Sequence, residues 1–159
     1  MTGSVRLAEL TPDNIAAACA LRVRPEQERF VAPVVESIAE AYVRPDTTWP
    51  RLILDGDRVV GFVMGSFDPD NQVDAFHAGI WRLNIAAGEQ GRGYGRFAVN
   101  AVAQEARRRG LARITVLWER CEGGPEEFYL RLGFRPTGEE FSGEVIGELH
   151  LRTSQSPHR

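Results

Sequence analysis

The segment Gln90-Gly91-Arg92-Gly93-Tyr94-Gly95 lies between an apolar run at residues 81–86 and a helical pattern at residues 97–109. This order of strand, glycine-rich turn and helix leaves successive backbone N–H groups unpaired at the positive end of a helix dipole. Without side chains at Gly91, Gly93 and Gly95, an anion could approach the backbone closely. The segment therefore predicts a binding site for a diphosphate.

Two common glycine-rich phosphate sites do not fit this segment. The Gly-Lys-Ser/Thr ending of a P-loop is missing, so neither a lysine nor a magnesium-binding hydroxyl is available for a triphosphate. The turn also lies past the middle of the chain and follows strands with an antiparallel pattern, whereas a dinucleotide-binding fold usually opens with such a turn. Both observations argue against a nucleotide-binding fold of either kind.

A second motif limits the families of proteins that the chain could resemble. The pattern Gln-x-x-Gly-x-Gly after a strand, followed further along by Phe128-Tyr129-Leu130-Arg131-Leu132-Gly133-Phe134, resembles the GNAT superfamily of acetyl-coenzyme A-dependent N-acetyltransferases. The resemblance covers residues 51–152. Within the first fifty residues, Gln27-x-x-Phe30-Val31-Ala32-Pro33 and the segment 36–42 resemble the bacterial spermine/spermidine acetyltransferase branch.

Composition limits the size and class of the protein. A chain of 159 residues with 43% hydrophobic residues predicts one domain, at residues 1–152, followed by a flexible tail at 153–159. The net charge of -3 argues against a nucleic-acid surface and is compatible with a cationic acceptor. No signal segment and no run of ~18 apolar residues is present, so we expect a cytoplasmic protein without a membrane span. Cys19 and Cys121 lack metal-ligand spacing, so no metal is expected.

Local patterns predict the order of the secondary structure. We expect a strand at residues 5–10, a helix capped by Thr11, a second helix at 34–43, and a hairpin turning at Asp55-Gly56. Pro50 should close the region before the hairpin. A strand at 79–86, the glycine turn and its helix come next, then a parallel strand at 114–118, a short helix and two last strands. The resemblance implies an α/β (α+β) GNAT fold, a mixed and mostly antiparallel sheet of six to seven strands with helices on both faces and one splayed strand pair.

The resemblance also implies where acetyl-coenzyme A binds. Main-chain groups of Leu83, Asn84 and Ile85 would face the acetyl-pantetheine arm, with one N–H near the thioester carbonyl. Tyr129 matches the tyrosine that donates a proton to the departing thiolate of the product, coenzyme A. Residues implied for the diphosphate are Gln90, Gly91, Arg92, Gly93, Tyr94, Gly95 and Arg96. Glu122 and Pro125 stand where the family often has asparagine and alanine, which argues against an asparagine contact to pantetheine.

An attacking alkyl amine needs a proton acceptor, because its ordinary pKa of ~10.4 keeps it protonated at neutral pH. Glu36 and Glu119 are the first candidates, and His77 is an alternative. Glu36 and Glu40, four residues apart on one helix, could also hold the distal ammonium of a polyamine. The remaining candidate carboxylates are Glu26, Glu28, Asp74 and Glu122.

These observations predict an N-acetyltransferase that moves acetyl from acetyl-coenzyme A to a small-molecule primary amine by direct attack. A polyamine is the acceptor favoured by the branch resemblance, while antibiotics, amino acids and protein N-termini stay open. The alternative is a non-catalytic module that binds or senses acyl-coenzyme A. The family resemblance also allows a homodimer.

Overall fold

The computed structural model describes residues 4–152, so the tail predicted at 153–159 lies outside the described residues. Seven strands form one sheet in the order β1-β2-β3-β4-β5-β7-β6. Every neighbouring pair is antiparallel except β4 and β5, which are parallel. The strands are β1 (Val5–Ala8), β2 (Thr48–Asp55), β3 (Arg58–Phe67), β4 (Ala78–Ile85), β5 (Arg113–Trp118), β6 (Arg135–Phe141) and β7 (Glu144–His150).

Four α-helices connect and cover these strands: α1 (Ile15–Ala20), α2 (Val34–Val43), α3 (Tyr94–Arg108) and α4 (Glu126–Arg131). Short 3₁₀ turns occupy Pro25–Gln27, Asp74–Phe76 and Ala87–Glu89. The predicted mixed sheet with one parallel pair is confirmed.

Alternation along the central strands separates two apolar cores. Ile53 and Val63 pack in a core with α3 and α4, whereas their neighbours Leu52 and Phe62 pack in a second core with α1 and α2. Successive side chains of a strand point to opposite faces of a sheet, so the helices cover both faces. The predicted hairpin is also present, with Gly56 at a φ of +63° in its turn.

Two expectations near the beginning of the chain are wrong. The first helix begins at Ile15 rather than after Thr11, because the Asn14 side chain accepts a hydrogen bond from the Thr11 N–H (2.8 Å) and forms a turn there. Pro50 does not end an element but lies within β2. β1 pairs only with Leu52 to Asp55, so β2 is an edge strand at Pro50, where a missing N–H is tolerated.

The second helix has the predicted bounds and buries one of its two partly apolar faces. Val34 and Ser37 are buried, with Ile38 partly buried beside them, whereas Val35 and Tyr42 are exposed. Apolar residues occur on both faces of this helix, so the sequence fits either orientation. Contact with the sheet selects the face that contains Val34.

Candidate functional site

The parallel strands β4 and β5 touch at one end and then separate. Their register holds a single pair of residues, Gly79 and Thr115. A Cβ atom on Gly79 would lie 2.4 Å from the carbonyl oxygen of Thr115, so only glycine permits this approach. Beyond this pair, no strand within residues 4–152 pairs with β4 on its β5 side, and the sheet opens into a cleft.

The cleft has a volume of about 1160 Å³ and joins residues from distant parts of the chain. Its walls include β4, β5, the glycine-rich turn and α4. Sequence-predicted site residues that line it are Leu83, Ile85, Gln90, Gly91, Gly93, Tyr94, Gly95, Arg96 and Tyr129. Predicted site residues outside this lining are Asn84, Arg92, Glu36, Glu40 and Glu119.

The glycine-rich turn ends at the first residue of α3. Gly91 and Gly93 have φ angles of +78° and +87°, a region that glycine enters without strain. A Cβ atom on either glycine would meet nothing within 4 Å, so both face open space. The first helical hydrogen bond here runs from the Phe97 N–H to the Gly93 carbonyl (3.0 Å), which leaves the N–H groups at the start of α3 without helical acceptors. This arrangement fits an anion at the helix N-terminus.

Gly95 also has a packing role that the sequence did not predict. A Cβ atom on Gly95 would lie 2.9 Å from the Phe128 ring, so this glycine lets α3 pack against α4. The helix also begins at Tyr94, three residues before the predicted start, because Gly93 already provides the left-handed residue at its N-terminus.

Polar side chains brace the turn from the β2–β3 hairpin. The Tyr94 hydroxyl donates a hydrogen bond to Asp55, and this bond together with burial raises the pKa of Tyr94. Arg58 binds Glu89 (Nε to Oε1, 2.9 Å), which raises the pKa of Arg58. Arg92 approaches the same carboxylate (3.4 Å), so two arginines offset a negative charge beside the proposed anion site. The sequence did not predict that Asp55, Arg58 or Glu89 would lie beside the glycine-rich turn.

The first residue of the motif, Gln90, connects the turn to the segment before α2. Its side chain and that of Gln27 exchange hydrogen bonds in both directions, with the Gln27 amide nitrogen 2.9 Å from the Gln90 oxygen. The Gln90 amide also donates to the Ile85 carbonyl (3.3 Å) at the end of β4. Gln90 therefore holds β4, the turn and the 3₁₀ turn at Gln27 together.

Asn84 is buried and its side chain points away from the cleft lining. Its amide nitrogen donates to the Ala32 carbonyl (3.0 Å), while its side-chain oxygen has no hydrogen-bond partner among the described residues. The side chain thus ties β4 to the segment before α2, and the Asn84 main chain pairs with Phe62 of β3.

Tyr129 lies in α4 on the opposite wall. Its ring stacks on Trp118 with centroids 5.7 Å apart and contacts the edges of Phe128 and Phe134. Burial raises the pKa of Tyr129 above its ordinary range, so the hydroxyl stays protonated near neutral pH. The orientation of α4 is fixed by Trp118, whose indole N–H donates to Glu126 (2.7 Å). Tyr129 can therefore act as a donor inside the cleft.

The candidate carboxylates occupy different surroundings. Glu36 and Glu119 are exposed. Glu40 accepts hydrogen bonds from the Trp81 indole (2.8 Å) and from Arg82 (3.2 Å). Carboxylates that do line the cleft are Glu28, Glu89 and Glu144.

The other proton-acceptor candidates also lie outside the cleft lining. Asp74 contacts Arg113 and His77. Glu26 and Glu122 are the other candidates that do not line the cleft. Glu144 was missed because it is near in space to the cleft only through the β6–β7 hairpin.

Residues 4–152 contain neither a candidate metal site nor a helix that could span a membrane. In this range no group of three or more His, Cys, Asp or Glu side chains could hold a metal ion. None of the helices described here is long and apolar enough to cross a membrane.

Solved structures share this architecture. An acetyltransferase from Thermus thermophilus is 20% identical, with a TM-score of 0.70 over 94% of this chain and 99% of that one. The PaiA N-acetyltransferase from Thermoplasma acidophilum, in complex with coenzyme A, is 13% identical, with a TM-score of 0.67 over 92% and 99%. The ribosomal-protein-S18-alanine N-acetyltransferase from Escherichia coli is 16% identical, with a TM-score of 0.66 over 98% and 99%. At these identities the likeness shows a shared fold.

No curated protein matches the chain significantly. The model of the acetyltransferase (GNAT) family matches residues 15–134, which is most of the chain and includes the splayed strands, the glycine-rich turn and Tyr129. The chain therefore belongs to the acetyltransferase (GNAT) family.

Proposed function

We propose that this protein transfers an acetyl group from acetyl-coenzyme A to a primary amine by direct attack of the amine. One observation carries the proposal: a single cleft brings together an open helix N-terminus, the strand edge of β4 freed by the splay, and the buried hydroxyl-bearing Tyr129. Acetyl-coenzyme A supplies an activated thioester. Family membership and the coenzyme A bound to the Thermoplasma acidophilum relative support the same reading.

The glycine-rich turn would hold the diphosphate of the cofactor. The N–H groups of Tyr94, Gly95 and Arg96 precede the first helical hydrogen bond and lie at the positive end of α3. Arg96 is exposed on the cleft and adds a positive charge. Gln90 and Gly91 would shape the turn, while Arg92 would act from its rim through Glu89.

The β4 strand would orient the reacting end. Leu83, Asn84 and Ile85 lie on the strand that leaves its β5 neighbour after Gly79. Asn84 pairs with Phe62 of β3, so the main-chain groups of Leu83 and Ile85, which alternate to the open edge, would pair with the pantetheine arm. An N–H group held near the thioester carbonyl would stabilise the negative charge that develops on its oxygen.

Tyr129 would serve the departing thiol. An ordinary phenol has a pKa near ~10 and a thiol near ~8.5, so full proton transfer is already uphill. Burial raises the pKa of Tyr129 further, which favours a hydrogen bond to the thiolate over complete transfer. The same shift means that Tyr129 cannot act as the base.

The proton of the amine requires a carboxylate or a water chain to one. Glu28 and Glu144 line the cleft and make no ion pair within residues 4–152, so we propose them as the nearest acceptors. Glu36 and Glu119 would have to act through water from outside the cleft lining.

A polyamine acceptor is a narrower form of this proposal. The carboxylate pair expected to hold it, Glu36 and Glu40, has little free charge toward the cleft, because Glu40 already binds Trp81 and Arg82. A distal ammonium would instead meet Glu28 or Glu144. A cytoplasmic location and a homodimer are parts of the proposal that rest on the sequence analysis alone.

Release of free thiol from acetyl-coenzyme A tests the function directly. We expect release that depends on an added primary amine, measured with polyamines, aryl and alkyl monoamines, aminoglycosides and amino acids. Binding of acetyl-coenzyme A without amine-dependent release from any of them would contradict acetyl transfer and favour the sensing module.

A further inference from the structure

Three aromatic side chains meet at one edge of the cleft, and we call them the aromatic mouth: Phe76, Trp81 and Phe141. They come from the 3₁₀ turn before β4, from β4 itself and from the end of β6. The Phe76 ring contacts Trp81 edge-to-face with centroids 6.2 Å apart and Phe141 with centroids 4.8 Å apart. All three line the same cleft as the glycine-rich turn and Tyr129.

Two of these rings leave much of their surface in water. Trp81 is 43% exposed and Phe141 is 41% exposed. Burial of aromatic surface is favourable, and aromatic rings add a preference for edge-to-face or offset contact with another ring. The mouth therefore offers apolar binding surface where an acceptor would enter.

The exposed rings are also fixed in place. The β3–β4 register pairs Gly65 with Ile80 and Met64 with Arg82, so Trp81 is the extra residue of a bulge, which turns it out of the regular pleat. Its indole N–H is held by Glu40. A ring that is already ordered loses little further freedom when a ligand packs on it.

The β6–β7 hairpin fixes the third ring in a similar way. Phe141 precedes a tight turn in which Ser142 and Gly143 have φ angles of +49° and +82°. Glu144, on the far side of this turn, is the Cα partner of Phe141 and also lines the cleft. Directly paired residues of antiparallel strands share a face, so a carboxylate lies beside the aromatic mouth.

The charges around the mouth match one ammonium rather than several. Arg82 binds Glu40, and its guanidinium carbon lies 5.0 Å from the centre of the Trp81 ring, so this ring already has a cation over it. The Arg82–Glu40 pair is neutral as a whole. Glu144 lies beside the mouth and, like Glu28 elsewhere in the cleft lining, has no ion pair in the described part of the chain.

We propose that the acceptor is an arylalkyl monoamine whose ring packs against the aromatic mouth while its single amino group reaches the thioester. The inference rests on the proposed acetyl transfer and specifies its substrate class. The exposed, preorganised rings provide the affinity, and Glu144 is the one carboxylate beside the mouth without an ion pair in the described chain, so further ammonium groups would gain no contact there.

The test compares 2-phenylethylamine with spermidine as probes of the purified full-length protein. Thiol release should give 2-phenylethylamine a kcat/KM at least about tenfold above that of spermidine, because an aromatic body is buried in one case only. Phe141→Ala should raise the KM for 2-phenylethylamine about fivefold with little change in kcat, while spermidine is unaffected. Tyr42→Ala is the matched control, since Tyr42 is an exposed aromatic residue outside the cleft lining.

Calorimetric titration of 2-phenylethylamine into the coenzyme A complex separates this inference from the function. Binding that weakens about fivefold in Phe141→Ala would support the aromatic mouth, and if no amine of the panel were turned over, the same result would contradict acetyl transfer. Turnover of spermidine in preference to 2-phenylethylamine, or an equal loss of both in Phe141→Ala, would overturn the aromatic mouth and leave acetyl transfer intact.

Discussion

Replacing Gly93 by alanine separates cofactor binding from backbone strain at the glycine-rich turn. Gly93 has a φ of +87°, stands directly before α3 and lines the cleft. A Cβ atom there meets nothing within 4 Å, so the free protein has room for the methyl group. Gly110 is a matched control, because it has a φ of +77°, equally open surroundings and a position beyond the other end of α3.

Both substitutions should cost the same stability. Alanine in the left-handed region is less favourable than glycine by about 1–2 kcal/mol. For a domain of this size, each kcal/mol corresponds to a shift in Tm of roughly 2–4 °C. Circular dichroism melting without cofactor should therefore give similar decreases for Gly93→Ala and Gly110→Ala.

Only Gly93→Ala should weaken the binding of acetyl-coenzyme A. Its methyl group would stand where a phosphate oxygen approaches the N–H groups at the start of α3. Loss of one hydrogen bond to a charged group costs about 1.5–3 kcal/mol, or a factor of about 10 to 150 in affinity. Isothermal titration with acetyl-coenzyme A measures this difference.

Two results would contradict a diphosphate site at Gly93. If folded Gly93→Ala binds acetyl-coenzyme A as tightly as the wild type, the diphosphate does not lie at this turn. If Gly110→Ala loses affinity to the same degree, the loss reports strain in α3 rather than contact with the cofactor.

Three other substitutions test the site. Tyr129→Phe should lower turnover about 10²-fold with nearly unchanged acetyl-coenzyme A affinity. Because burial raises the pKa of Tyr129, the wild type should also lose stability above about pH 10, where this tyrosine ionises in the unfolded state. Melting curves at alkaline pH should show that this part of the loss is absent in the variant. Arg58→Gln should weaken acetyl-coenzyme A binding about fivefold at low salt, because Glu89 keeps only Arg92 of its two arginine partners, and the double variant with Glu89→Gln should recover it. Failure of that recovery in calorimetry would argue against a charge effect. Gly79→Ala should lower both Tm and turnover, because its Cβ would collide with the Thr115 carbonyl at the vertex of the cleft, and an unchanged melting curve would contradict this close contact.

Local sequence patterns were sufficient for much of the fold. The Asp55-Gly56 turn, the α2 bounds and the strand–turn–helix order around Gly93 all depend on residues close together in the chain. Backbone preferences and short-range periodicity act over such distances, so these elements could be predicted. The parallel β5 strand followed from the helical crossover that precedes it.

Long-range contacts decided the rest. The packing of Gly95 against Phe128 was not predicted, because it arises only where α4 crosses the start of α3. Glu40 was predicted to be free to bind the acceptor amine. In the structure it forms an ion pair with Arg82, which belongs to β4 and is distant in the sequence.

The residues at the entrance of the cleft could not be predicted from local sequence patterns either. Phe141 and Glu144 reach it only because β7 pairs with β5 and carries β6 with it to the edge of the sheet. The sequence by itself determined which segments become strands, helices and the phosphate turn, since neighbouring residues govern those choices. Tertiary structure alone decided which side chains share the cleft, because strand order and helix packing bring together residues that no local pattern connects.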